Sequence, residues 1–353
     1  MDNIQPNDFR PGSVSGERKP RPVMRDWTPG SYCLRDAWFP LAHSENVTVQ
    51  PCKRLVHSQP YYLIRDDSGR ARATEFHPNR FAELRGKATE FTGGTGEYPV
   101  VELYGYVWGW YGNPEKADPT LLPDIPFLPP GGGLPSYMRS TTRFDSSAEL
   151  SLENLLDLTH ADYLHTYLTG DEECDSDTVT VESTSETVTM IREQINKKTP
   201  SFMKKMGVKA ERLDFRGVIH VYVRSSVAHA FGRFTPGFTV PLFHPCVPES
   251  RFQNRLNVTI NAYDSPWLFR HAMPLQNYTV SPQDNYVTRP QNARYLDPTD
   301  RRDMHSRFDE AGVRYRFLVQ QLAKRQQEGD YSYLPDANIN KDLTELFRID
   351  RVQ

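Results

Sequence analysis

From Trp27 to about Gly112 the chain runs as short apolar stretches broken by turns. "YYLIRDDSGRARATEF" has two strand-like halves around D-D-S-G, which predicts a hairpin. "EYPVVELYGYVWGWYG" alternates aromatic and small residues and predicts strand, with Gly105 as a turn or bulge. These patterns predict a small, mostly β domain over 27–112. The next stretch, 113–135, "NPEKADPTLLPDIPFLPPGGGLP", is dense in Pro and Gly and predicts a linker. Beyond it, over 136–353, comes a helix from Leu152 to Leu164, starting near Ser151. The strand candidates "TVTVESTSETVTMIREQI", "GVIHVYVRSS", "FTPGFTVPLFH" and "RLNVTINAY" follow. Phe308, Ala311, Tyr315, Leu318 and Leu322 then recur at three- and four-residue steps, an amphipathic helix packed across the sheet and ending at Gly329. Antiparallel strands with helices before and after predict an α+β layer fold. The chain shows no internal repeat.

Composition narrows the function classes. The chain has 353 residues, 37% hydrophobic and 12% aromatic, enough for real cores in two domains. A net charge of -3 predicts no affinity for nucleic acid or anionic membranes. The most apolar run carries Glu102 and is too short to span a bilayer. The first 26 residues lack an apolar core, so they predict a flexible arm rather than a signal peptide. Cys33, Cys52, Cys174 and Cys246 form no C-x-x-C or C-x-H pair, which predicts reduced thiols in a cytoplasmic protein. "PPGGG" at Pro129 lacks the G-K-[ST] and helix of a phosphate loop. The basic stretch "INKKTPSFMKKMGVK" at Ile195–Lys209 predicts a solvated loop, a lid or docking surface being the alternative.

The stretch "ENLLDLTHADYLH", Glu153 to His165, carries the chemistry. Two histidines and one carboxylate suit Fe(II) and leave coordination positions open for O2 and substrate. His160 and His165 differ by roughly 140° around an ideal helix, so they share a metal only if the helix ends, kinks or carries a π-type turn between them. His220, His229, His244 and His271 lie on or near strand candidates and predict ordinary hydrogen-bonded histidines, one or two of which line a cavity.

"ENLLDLTHADYLH" resembles the N-x-x-D-x-x-H-x-x-x-x-H segment of the Rieske non-heme iron oxygenases. "LRDAWFPLAHSENV", "YYLIRDDSGRARAT" and "YPVVELYGYVWGW" resemble, in order, strands of the N-terminal domain in its vanillate demethylase-like branch. The resemblance spans about Trp27 to Gly170 and less of the remainder. It implies a Rieske-like β domain followed by a helix-grip (Bet v1/START-like) antiparallel-sheet catalytic domain. It also implies mononuclear iron on His160 and His165. The third ligand falls in "NYTVSPQDNYVTRPQ", at Asp284, with Asp264 and Asp297 nearby in sequence. Asp157 matches the acid that links one subunit's iron to its neighbour's cluster; a partner holding a histidine ring is the plainer role.

One part of the pattern is absent. A Rieske 2Fe–2S centre needs two cysteines and two histidines, from a C-x-H and a C-x-x-H loop. Aligned on C-P-H-R-x-A-x-L, "EFHPNRFAELRG" puts His77 in place of the cysteine and Asn79 in place of the histidine. "KATEFTGGTGEYPVVE" runs into the closing strand with no C-x-x-H at all. The sequence therefore predicts no 2Fe–2S cluster. The leading expectation is an oxygenase that hydroxylates or oxidatively demethylates an apolar or aromatic small molecule. Its electrons would come from an external Rieske protein, a ferredoxin or a cluster-bearing homologous subunit, in a homo- or hetero-trimer. A non-catalytic subunit is one alternative; a metal-dependent isomerase, cyclase or hydratase is the other.

Overall fold

The computed structural model describes residues 27–169, 173–297, 303, 305, 306 and 308–353; the arm expected over 1–26 lies outside them. The first part holds seven strands in two antiparallel sheets. Strands β1 (Ala37–His43), β6 (Val100–Leu103) and β7 (Tyr106–Tyr111) form one sheet, in the order β1-β7-β6. The other contains β2 (Cys52–Val56), β3 (Gln59–Arg65), β4 (Ala71–Thr74) and β5 (Glu97–Tyr98). The D-D-S-G signal is the β3–β4 turn, where the Asp66 carboxylate accepts the N–H groups of Ser68 and Arg70 at 3.0 and 3.1 Å. Gly105 is a turn rather than a bulge: with Tyr104 it takes positive φ, +57° and +77°, and reverses the chain between β6 and β7. A short helix, α1 (Phe81–Leu84), lies between β4 and β5.

The stretch 113–135 is not a free tether. Its prolines limit regular structure to short 3-10 turns such as Pro114–Lys116 and Pro119–Leu121, yet Leu122, Ile125, Phe127 and Leu128 are buried with Trp38, Trp108, Tyr222 and Phe243. The segment is therefore a wedge between the small sheets and the large one. Its backbone is tied down too, since Asn261 donates to the Phe127 carbonyl at 2.7 Å.

The large sheet has seven antiparallel strands in the order β8-β14-β13-β12-β11-β10-β9. They are β8 (Arg139–Phe144), β9 (Ser176–Ser183), β10 (Thr187–Lys198), β11 (Arg212–Tyr222), β12 (Val227–Thr235), β13 (Thr239–Ser250) and β14 (Gln253–Ile260). Alternation along each strand splits the core. Met190, Ile219, Ala228, Cys246 and Val258 face inward with Tyr315, Leu318 and Leu322, whereas Val218, Tyr222, Phe231 and Phe243 face the wedge. Helices α2 (Ala148–Leu155), α3 (Ala161–Leu164), α4 (Thr166–Thr169) and α5 (Ser201–Lys205) precede or interrupt the strands. After them come α6 (Trp267–Leu296), α7 (Glu310–Gln327) and α8 (Thr344–Phe347).

The α+β class is the one expected, with two corrections in detail. The helix expected from Leu152 to Leu164 starts earlier, at an N-cap on Ser147 whose hydroxyl accepts the Leu150 N–H at 3.3 Å, and it breaks after Leu155. The basic stretch is not wholly solvated. Lys197, 2% exposed, and Met203 are buried, because β10 extends through Lys198 and α5 turns Met203 inward. The last amphipathic helix begins at Glu310, after Phe308, and closes near Gly329, which takes φ +86°.

Candidate metal centre

The chain breaks after Leu155, and helical geometry ends again between residues 160 and 165, which lets the two converge. The Asp157 carboxylate accepts the Thr159 N–H at 3.0 Å and the Thr159 hydroxyl, which bends the chain. The single turn of α3 follows, with His160 at its N-terminal boundary and His165 at its C-terminal one. His165 leaves helical geometry at φ -120°, ψ 37°, so both imidazoles swing to the same side, their centroids 5.3 Å apart. The expected condition, a helix that ends between the two histidines, is the one found.

The third group arrives on α6, thirty residues long with Pro274, Pro282 and Pro290 inside it. Between Phe269 and Pro274 at one end and Tyr295 at the other, its buried stripe is polar: Asn277, Ser281, Asp284, Thr288 and Asn292. Hydrogen bonds to the β8–α2 region hold it. Asn277 donates to Ser140 at 2.6 Å, Thr288 to Ser146 at 3.2 Å, and Asn292 to the Asp145 carbonyl at 2.9 Å. That attachment places the Asp284 carboxylate between the histidines.

His165 Nε2 lies 3.0 Å and His160 Nε2 3.5 Å from one oxygen of Asp284. One ligand atom from each residue falls within 4.8 Å of the others, and the group is largely buried. Each Nδ1 is engaged elsewhere: that of His165 with Gln283 Oε1 at 2.8 Å, that of His160 with the Asp157 carbonyl. The oxygen acceptors at Nδ1 fit a proton on that nitrogen, the tautomer in which each Nε2 is free to bind a metal; without a metal, a proton on Nε2 donates to the Asp284 carboxylate instead. Two imidazole nitrogens and one carboxylate oxygen converging in a largely buried site are a donor set that fits a divalent metal.

The electrostatics agree. Burial alone would raise the Asp284 carboxyl, but its hydrogen bonds to His160 and His165 hold it well below the usual carboxylate range. Burial works to lower His160, and Asp284 reverses this to a net rise. His244, on the inner face of β13, is pushed down to about 4 by burial, an effect Asp284 partly opposes. Its neighbour Cys246 is raised by burial and then by Asp284.

Among the residues picked out from sequence, His160, His165 and Asp284 come together. Asp157 does not join them; its carboxylate is turned to Thr159, and the residue lines a cleft with Glu153, Asn154, Gln291 and Arg316. Asp264 accepts from Thr239 at 2.7 and 3.1 Å, and Asp297 closes α6, so neither joins the cluster. His220 bonds Thr189 at 2.8 Å, His229 reaches the Asp124 carbonyl at 2.8 Å, and His271 stacks on Tyr137; each has an ordinary structural partner. In the N-terminal part, His77 Nδ1 accepts the Asn79 N–H at 3.2 Å. Sequence reasoning missed Gln283, whose one signal was adjacency to Asp284, and the buried charges Asp162, Arg192 and Lys197.

Residues 144–325 match the model of the vanillate O-demethylase oxygenase C-terminal domain. The oxygenase subunit of vanillate O-demethylase from a Pseudomonas species is 27% identical over 241 residues, covering 56% of this chain and 66% of that one. The oxygenase component of dicamba O-demethylase from Stenotrophomonas maltophilia is 28% identical over 166 residues, 37% and 48% of the two chains. The matches thus span less than two thirds of these relatives' own length. Dicamba monooxygenase bound to dicamba shares the fold at TM-score 0.70 and 20% identity, over 84% of this chain and 100% of that one. A terminal oxygenase of carbazole 1,9a-dioxygenase from Nocardioides aromaticivorans does so at 0.55 and 14%, over 82% and 95%. No helix among the described residues is long and apolar enough to cross a membrane. With the matching domain covering more than half of its residues, the chain belongs to the Rieske oxygenase family, in the branch of the vanillate O-demethylase oxygenases.

Proposed function

We propose that this chain is a mononuclear non-heme iron oxygenase that hydroxylates, or oxidatively demethylates, an apolar or aromatic small molecule. The convergence of His160, His165 and Asp284 carries the reading. These residues would hold Fe(II), which, when bound, supplies O2 activation; three protein ligands leave positions open for that purpose. A relative in the same fold has been solved as dicamba monooxygenase with non-heme iron and dicamba. The names of the curated relatives, both O-demethylases, favour demethylation. The chain's own residues would do the rest. Gln283 and the Asp157 carbonyl orient the two imidazoles. An apolar substrate would need apolar surface beside the centre, and the partly buried Leu158, Ala230, Leu242 and Met273 of the inner core are the side chains we propose for it.

The proposal extends to the electron supply. Residues 27–112 would be retained as scaffold, without a 2Fe–2S cluster, and 136–353 would be the catalytic unit. No cysteine lies between Cys52 and Cys174, and the position expected to offer a thiolate is His77. Electrons would then come from a Rieske protein, a ferredoxin or a cluster-bearing homologous subunit, within a homo- or hetero-trimer.

The test is metal and sulfide content of anaerobically purified protein beside a His160→Ala control. The expected result is about one iron per chain, lost in the control, with no acid-labile sulfide. No iron uptake even with Fe(II) offered would overturn the metal reading, and two sulfides per chain would overturn the cluster-less one.

A further inference from the structure

The segment bearing both histidines has little stability of its own, since α3 is one turn of four residues. A buried group of charges fixes it. The Asp162 carboxylate, between the two histidines in sequence, accepts from Arg192 Nη2 at 2.5 Å and from Lys197 Nζ at 3.3 Å. Arg192 also donates through Nη1 to the Leu158 carbonyl at 3.0 Å, and through Nε and Nη2 to Asp177 at 3.0 and 2.6 Å. Lys197 donates further to Gln194 Oε1 at 2.9 Å. Arg192 and Lys197 both stand on β10, 3% and 2% exposed. The chain is thus tied to the sheet two residues before His160 and two residues after it.

Two cations balance two carboxylates here, so the group is formally neutral. Such a group is a poor way to gain stability, because desolvating the ions consumes most of their attraction; what it supplies is a defined geometry. The Asp162 carboxylate is committed to Arg192 and Lys197 and is not among the converging ligand atoms. We propose that Asp162, Arg192 and Lys197 are positioning residues of the metal centre, setting where the His160 and His165 imidazoles stand relative to Asp284. This rests on the metal-centre reading above.

The experiment titrates the full chain anaerobically with Co(II), following its visible absorption, and records the Tm of each metal-free protein. Three variants are compared with the wild type: Asp162→Asn, the charge-balanced double variant Asp162→Asn/Lys197→Gln, and Asp177→Asn. Asp177→Asn takes a carboxylate from Arg192 without touching α3. The expected result is Co(II) affinity weaker by about tenfold or more in both Asp162 variants, with a changed band pattern, even where the double variant recovers its Tm. Asp177→Asn lowers Tm and leaves Co(II) affinity unchanged. If Asp162→Asn does not fold, the double variant carries the comparison. Wild-type affinity and spectrum in a folded Asp162 variant overturn the proposal alone. A wild-type chain that takes up neither Co(II) nor Fe(II) overturns the metal-centre reading and this inference with it.

Discussion

Gly217 and Gly232 face each other across β11 and β12, and replacing each by alanine should have opposite effects. A methyl group on Gly217 would stand 2.8 Å from Leu158 Cδ1 and 2.9–3.0 Å from two carbons of the Phe215 ring. Carbon contacts settle at roughly 3.5–4.0 Å, so Leu158 must retreat by about 0.7 Å or more. Overpacking of this kind costs about 1–3 kcal/mol, while removing a mid-strand glycine returns about 0.5–1 kcal/mol. At the middle of both ranges the net for Gly217→Ala is a loss of about 1 kcal/mol, or roughly 2–4 °C in Tm for a unit of about 200 residues. The same methyl on Gly232 would lie 3.4 and 3.6 Å from Phe215 and Phe234, ordinary contact, so that variant should gain about 0.5 kcal/mol. Because Leu158 is two residues before His160, Gly217→Ala should also weaken metal uptake, and Gly232→Ala should not. Scanning calorimetry and Co(II) titration read both effects. Equal Tm and equal metal affinity in the two variants would refute the reasoning that a methyl at Gly217 displaces Leu158.

Two further predictions concern single side chains. Gln283→Ala frees the His165 ring from its 2.8 Å partner and should weaken metal affinity by about 10–100-fold with little change in Tm; an affinity within twofold of wild type would show that the ring is held by other contacts. Glu149 is pushed up to about 7 by burial, against the opposing hydrogen bond from the Gly30 N–H. A carboxyl raised in the folded state contributes stability below its unfolded value, near 4.5, and that stability is lost as pH rises toward 7. The loss is at most about 3 kcal/mol. Glu149→Gln keeps the acceptor for Gly30 and lacks the titration, so its Tm advantage over wild type should widen from pH 5 to pH 8. A constant gap across that range would contradict the assignment.

How much of this was legible in the sequence depends on how local each cause is. The β3–β4 hairpin and the end of α7 were readable because Asp66 and Gly329 act on their immediate neighbours. The strand candidates of the large sheet fell on β9, β10, β11, β13 and β14, whereas β8 and β12 were missed. The break after Leu155 was not readable, since Leu155, Leu156 and Leu158 continue an apolar pattern, and what ends the helix is the side chain of Asp157. The α6 helix was hidden by its three prolines and by a buried face of Asn, Ser, Asp and Thr, a composition that reads as loop. For the same reason Asp284 was reached through a family resemblance, and only tertiary placement separates it from Asp264 and Asp297. Lys197 looked like one more solvated lysine, because its carboxylate partner is thirty-five residues earlier in the chain.

Pro274, Pro282 and Pro290 deprive the carbonyls of Arg270, Tyr278 and Tyr286 of their helical donors. The α6 helix is continuous but lacks a backbone hydrogen bond at each of these places, and side-chain hydrogen bonds, each worth about 1 kcal/mol net, join it to β8 and the loop before α2. His160 and His165 ride on the sheet, while Asp284 rides on this strut. The three donor groups belong to bodies of unequal stiffness, like a vice with one fixed jaw and one sprung jaw. Compliance at the centre is one-sided, and ion loading or the entry of a small molecule should register first in amide hydrogen exchange along α6, with α3 nearly silent.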